Sequence, residues 1–281
     1  MKLFQWERTK IIDHKMNRRI ETLFYKLPHD VRRKLFSVTR KRSFDLFQTQ
    51  RQRNLGGRAP YAPFDEKRCI FVHVPKAAGS SVAQTLFGSS GGSHTPVSLY
   101  QLIFSKRDYD RYFKFTYVRN PWDRALSAYR FLKAGGMHQN DEELAREMGI
   151  GTFESFEEFV VGWMQNTDLD NYMHFRSQYK FICLPGTMHP AVDFIGYFEH
   201  IEEDFKVIQE KMGADEVVVL GHHNKTKTMG VTAAAIDYRD SYTSETIGII
   251  AELYAEDINL FGYTFDGIDY GRISRLVRKN S

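Results

Sequence analysis

Phe71-Val72-His73-Val74-Pro75-Lys76-Ala77-Ala78-Gly79-Ser80-Ser81-Val82 is the stretch that decides the fold. An apolar run of strand type passes into a turn of small residues carrying one lysine, one glycine and two hydroxyls, and a helical pattern follows. Backbone N–H groups in such a turn and at the helix start converge on an anion, and Lys76 adds a full positive charge. Gly79 lets the backbone come close where a Cβ would obstruct it. A second strand-to-helix corner lies at Phe115-Thr116-Tyr117-Val118-Arg119-Asn120-Pro121-Trp122-Asp123-Arg124. There Asn120 is the expected N-cap, Pro121 takes the first helical position and Asp123 sits in the first turn. Two corners, each with a cation and hydroxyls, suit a ligand with two separate anionic groups.

Strands and helices alternate outward from these corners. The pattern predicts strands at 69–74 and 114–118, a helix at 80–88, a short helix at 98–106, and a helix from 121 to about Lys133 stopped by Gly135-Gly136. Later helices are expected over about 155–165, 200–212 and 243–257, with a short strand at 217–220. Such alternation implies an α/β fold with a parallel sheet flanked by helices, and ligands at the carboxyl ends of its strands. Residues 1–62 read as a basic helical extension and linker, and 63–281 as the main domain. Ile11, Ile12, Met16, Ile20, Leu23, Phe24 and Leu27 recur in that extension at helical spacing, with Arg and Lys between them. Two readings stay open for it: a helix packed on the domain with a solvated basic face, or an attachment to anionic lipid or polysaccharide.

Composition bounds the rest. The chain has 281 residues, of which 42% are hydrophobic and 14% aromatic, which suits a folded domain and excludes a disordered one. The net charge of +4 hides an asymmetry, since the first 60 residues hold 16 Lys and Arg against 5 Asp and Glu. Two cysteines make no disulfide framework, and without a Cys/His cluster no metal site is expected. No apolar run reaches the roughly 18 residues of a membrane span, and Met1 to Arg8 lack the apolar core of a signal peptide. A cytoplasmic protein is the expectation.

The first corner is not a P-loop, because Lys76 precedes Gly79 instead of following the last glycine. Its order instead resembles the 5′-phosphosulfate loop of sulfotransferases that use 3′-phosphoadenosine 5′-phosphosulfate (PAPS). Arg119 with Ser127 is similar to their 3′-phosphate site. Asp193-Phe194-Ile195-Gly196-Tyr197-Phe198-Glu199 and the stretch from His223-Asn224-Lys225-Thr226 to Tyr254-Ala255-Glu256-Asp257 resemble the carbohydrate branch of that family. The resemblance covers roughly residues 66 to 265 and implies a P-loop-like three-layer sandwich. It implies that Lys76, the amides of Ala77, Ala78, Gly79 and Ser80, and the Ser80 and Ser81 hydroxyls hold the 5′-phosphate, with Lys76 also steadying the leaving oxygen. Ser80 could equally cap the helix. Arg119 by a bidentate fork and Ser127 by its hydroxyl would hold the 3′-phosphate, and Asn224, Lys225 and Lys227 are candidate contacts from a loop that closes over the nucleotide. The same likeness favours His94 as general base. His174 is the fallback, and with Arg176 a candidate for the acceptor site, in a segment where Phe175 replaces the family's Trp. Arg124 reads equally as a surface charge, and His73 as a filler inside the first strand. A carbohydrate hydroxyl would be the acceptor, with Trp163, Phe175 and Tyr179 as either sugar platforms or core. The alternatives are a nucleotide kinase and a non-catalytic nucleotide- or polyanion-binding protein.

Overall fold

The computed structural model describes residues 18–52, 61–213, 218–221 and 237–271. Helices α1 (Arg18–Tyr25), α2 (His29–Thr39), α3 (Lys41–Gln52) and α4 (Ala62–Lys67) lead into strand β1 (Cys69–Val72). Helices α5 (Gly79–Phe87), α6 (Val97–Ile103) and α7 (Lys106–Arg111) connect it to β2 (Phe113–Val118). Then come α8 (Pro121–Lys133), α9 (Gln139–Glu147), α10 (Phe156–Gly162) and α11 (Tyr179–Ile182) before β3 (Phe194–Tyr197). Helices α12 (Ile201–Lys211), α13 (Ser244–Leu253) and α14 (Ala255–Phe261) follow, and a hairpin of β4 (Tyr263–Thr264) and β5 (Gly267–Ile268) comes last.

The sheet is parallel in the order β1-β2-β3, with Phe71 beside Phe115 and Phe115 beside Phe194. The strands β1 and β2 are buried nearly throughout, as a sheet covered on both faces requires. The α/β architecture expected from the alternation is therefore present. Because β1 feeds α5 and its neighbour β2 feeds α8, the two anion corners sit side by side at the carboxyl edge.

Several boundaries differ from the sequence pattern for local reasons. The first strand ends at Val72, so His73 lies just beyond it. The helix expected at 98–106 is two helices, because Ser105 caps a new turn by accepting from the Asp108 amide at 3.1 Å. The pattern over 243–257 breaks at Tyr254, between α13 and α14. No strand forms at 218–220; the Val218 amide and carbonyl pair instead with the Gln209 side chain. Strand β3, by contrast, was not anticipated. It has four residues with only Gly196 buried, too little for a period-two signal. Gly196 is required there because a Cβ would come within 2.7 Å of the Tyr117 ring.

The described part of the basic N-terminal region is layered on α6 and α7. Phe36 and Phe47 enter the core. The Tyr25 hydroxyl donates to the Ser98 carbonyl at 3.0 Å, and His29 Nε2 donates to the Phe104 carbonyl at 3.1 Å. The Arg51 guanidinium forks onto Asp65 at 2.8 and 2.6 Å and reaches Asp108 at 3.1 Å. Among the described residues no helix is long and apolar enough to cross a membrane.

Candidate active site

Helix α5 begins at an unusual turn. Lys76 and Ala78 both take left-handed backbone angles, with φ of +66° and +60°. Such angles in residues other than glycine cost roughly 1 to 3 kcal/mol each and concentrate at binding sites. Here they leave the amides of Ala78, Gly79 and Ser80 without an acceptor among the described residues. Those are the orphan donors of a helix start, and they make an anion cradle. Ala77 is buried beneath it, and its amide points back to the Val74 carbonyl at 3.4 Å. Ala78, not Ser80, holds the cap position; the exposed Ser80 and half-buried Ser81 stand in the first turn.

Gly79 also has a steric reason to lack a side chain. A Cβ at that position would fall inside the His73 imidazole, which lies against it. Gly79→Ala should therefore push His73 aside, at about 1–3 kcal/mol for an overpacked site. A drop of a few degrees in Tm would register it in a chain of this size; an unchanged Tm would mean that the imidazole is not wedged there.

Three imidazoles and one ammonium meet beside this loop. His73 and His94 have ring centroids 4.3 Å apart, and His94 and His174 6.3 Å apart. His94 Nδ1 lies 3.2 Å from the His73 carbonyl oxygen. A carbonyl only accepts, so Nδ1 carries the proton and the neutral ring presents its lone pair at Nε2. Desolvation, then the neighbouring His174 and Lys76, push the His94 pKa down to about 3. His94 is therefore a neutral imidazole in the free protein. Lys76 Nζ lies 3.9 Å from the centre of the Phe131 ring. Desolvation, followed by repulsion from Arg119 and Arg124, brings its pKa down to about 8. His174 is buried, with Nε2 3.5 Å from Asp141 Oδ1, and its Nδ1 has no partner among the described residues. Asp141 also accepts from the Met137 and His138 amides at 3.0 and 3.1 Å, which fixes it at the start of α9.

The second corner is braced from three sides. The Arg119 amide and carbonyl pair with the Gln178 side chain at 2.9 and 2.8 Å. Its guanidinium forks onto Asp123 at 2.7 and 2.8 Å and lies 4.1 Å over the Phe198 ring. Arg119 Nη1 donates to the Lys76 carbonyl at 3.1 Å, so the two corners touch. Three of the five guanidinium N–H groups are thus used in these bonds, and two remain. One bidentate edge of the fork expected to hold a phosphate, Nε with Nη2, rests on Asp123. Asp123, half-buried Ser127 and Phe131 follow at successive turns of α8, so one helix face runs from Arg119 to the Lys76 ammonium.

Arg124 is not a surface charge. It is wholly buried, and it donates to the Pro75 carbonyl at 3.0 Å and to the His174 and Arg176 carbonyls at 3.3 and 2.6 Å. One side chain thereby ties the lysine loop to the His174 segment. Asp257, also buried, accepts from the Gln178 and Tyr179 amides at 2.7 and 2.9 Å, and the Tyr254 hydroxyl donates to the Phe175 carbonyl at 2.6 Å. Glu199 accepts from the Asn120 amide at 2.7 Å and Asp204 from the Tyr197 amide at 2.6 Å, so both carboxylates hold strand ends. Arg176 turns its guanidinium to the Asp170 carbonyl at 2.9 and 2.7 Å. Phe175 is core, and Trp122, buried beside α13, is wall.

Lys76, His94, His174 and Arg119 are thus gathered at one edge. Asn224, Lys225 and Lys227 lie outside the described residues, although Gly221 before them donates to Thr85 on α5 at 3.1 Å. Asp141, Phe131, Gln178 and the burial of Arg124 were not foreseen. A helix-start pattern at His138 to Asp141 and the place of Gln178 at the end of the His174 segment were the sequence signals for two of them.

A sequence model described as the Sulfotransferase family matches residues 61–264. The chain is 26% identical over 230 residues to carbohydrate sulfotransferase 14 of Danio rerio, covering 71% of this chain and 60% of that protein. It is 24% identical over 238 residues to carbohydrate sulfotransferase 11 of the same species, covering 71% and 66%. An uncharacterized protein of Archaeoglobus fulgidus is 31% identical over 113 residues, 40% of this chain and 76% of that one. No solved structure matches. The chain spans 60% and 66% of the two named relatives, and the stretch matched by the family includes both strand-tip loops and the residues that brace them. On that match, the chain belongs to the sulfotransferase family.

Proposed function

We propose that the protein moves a sulfuryl group from PAPS to a hydroxyl of a carbohydrate. The observation that carries this reading is the meeting of three open amides, the Lys76 ammonium and the His94 lone pair at one strand tip, with Arg119 against them at the next. That donor set fits a ligand with anionic groups at two ends. When bound, PAPS supplies the activated sulfuryl group. Ala78, Gly79 and Ser80 amides with the Ser80 and Ser81 hydroxyls would hold the 5′ end, and Arg119 with Ser127 the 3′-phosphate. Lys76 places its charge where the departing oxygen gains negative charge. His94 Nε2 takes the proton of the acceptor hydroxyl.

The carbohydrate assignment rests on the names of the two relatives. His174 would line the acceptor side, and Arg176 would act there by ordering the segment from Asp170 onward. A kinase reading has lost its support, since the family is one of sulfotransferases. Mass spectrometry of glycans from cells with and without the gene tests the proposal. A sulfated glycan that disappears with the gene supports it; identical glycan sulfation in both would count against it.

Arg119→Ala should weaken binding of adenosine 3′,5′-bisphosphate (PAP) by about 1.5–3 kcal/mol, the usual worth of a hydrogen bond to a charged group. Unchanged affinity in a calorimetric titration would remove Arg119 from the site.

A further inference from the structure

Helix α2 is inside out. Its inward face presents His29, Arg32 and Phe36, all buried, while Val31, Leu35 and Val38 point the other way, 43, 43 and 66% exposed. The inward polar groups bond into the domain: His29 bonds the Phe104 carbonyl, and the two terminal nitrogens of Arg32 donate to the Tyr25 carbonyl at 2.6 Å and to Gln101. Ile20, Leu23 and Leu27, in α1 and the turn after it, are exposed as well, at 56, 61 and 38%. Among the described residues these six are more than half of all the large hydrophobic side chains that stay exposed. The sequence pattern left open whether Ile20, Leu23 and Leu27 pack on the domain or face an anionic partner, and all three are exposed. Isolated surface aliphatics are ordinary, but a row of them along one helix face, as at Val31, Leu35 and Val38, marks an interaction surface.

Charge and side-chain type select the occupant. Lys26, Lys34, Arg40 and Arg42 are exposed around the row, and Lys41 is exposed but paired with Asp45; Asp30 is the exposed acid within α2. A second copy meeting this face about a twofold axis would set these cations against themselves. The row holds branched aliphatics and no aromatic or arginine anchor of the kind that dominates protein interfaces. An apolar helix face edged by lysine and arginine suits an anionic lipid surface. We propose that α1 and α2 dock the protein peripherally on an anionic bilayer, the aliphatic row entering the headgroup boundary and the flanking cations meeting lipid phosphates.

The test is co-sedimentation of the full chain with phosphatidylcholine vesicles, with and without phosphatidylglycerol. The expected result is partitioning onto the mixed vesicles, weakened at high salt, with little on phosphatidylcholine alone. Val31→Glu combined with Leu35→Glu should reduce that partitioning roughly tenfold or more while PAP affinity stays unchanged, since neither residue approaches the strand tips. Failure of the full chain to partition would overturn the proposal, as would undiminished partitioning of the double variant. Ultracentrifugation adds a further outcome: a dimer that the same substitutions dissociate, without vesicle binding, would give the face to a second copy.

Discussion

Lys76→Ala should cut turnover with PAPS roughly 100- to 1000-fold, the effect of removing one preorganised donor from developing negative charge. The side chain is positioned for that role by its left-handed backbone, the Phe131 ring beneath its ammonium and the Arg119 hydrogen bond to its carbonyl. Burial and two arginines bring its pKa to about 8, which gives the rate a pH signature. Only the protonated lysine assists the leaving oxygen, so kcat/KM for PAPS should fall as pH rises through about 8. Lys76→Arg stays charged at any working pH, so the alkaline fall should vanish in that variant even though its geometry lowers the rate. Near-normal turnover in Lys76→Ala, or an alkaline fall that survives in Lys76→Arg, would take this role away from the lysine.

His94→Ala should lower turnover roughly 100-fold or more and leave PAP affinity intact, the pattern for loss of a general base. The hydrogen bond from Nδ1 to the His73 carbonyl fixes the tautomer that a base needs. A ring whose pKa lies near 3 is a weak base in the free protein. The causes of that shift are desolvation and nearby positive charge, and a bound polyanion opposes the second of them. The base should therefore strengthen when the donor occupies the site. Normal turnover in His94→Ala would transfer the role to His174, which already has Asp141 at 3.5 Å as an orienting partner.

Both corners were legible in the sequence because each is a local event. A strand, a turn with a lysine, a helix start and the Asn120-Pro121 cap all lie within a dozen residues, where periodicity and capping chemistry speak directly. The supports were not legible, because they arrive from distant segments. Arg124 reads as a helix charge until the Pro75, His174 and Arg176 carbonyls converge on it. Asp141 drew no expectation from the sequence, and it reaches His174 only because α9 brings it there. Strand β3 escaped notice because four residues, three half-buried and one buried, carry no period, yet the turn that follows it supplies Phe198 and Glu199 to the second corner. The N-terminal region left its two readings undecided in the sequence. Its apolar spacing was real, but the side that faces the domain is the one with His29 and Arg32.

The central claim is that two touching strand tips hold both ends of one bis-phosphorylated adenosine. Calorimetric titration of the full chain with PAP and with ATP, in EDTA and again with magnesium, tests it most directly. The account predicts tight PAP binding in EDTA, unaltered by magnesium, and poor ATP binding under both conditions. Magnesium-dependent ATP binding with no heat from PAP would contradict it.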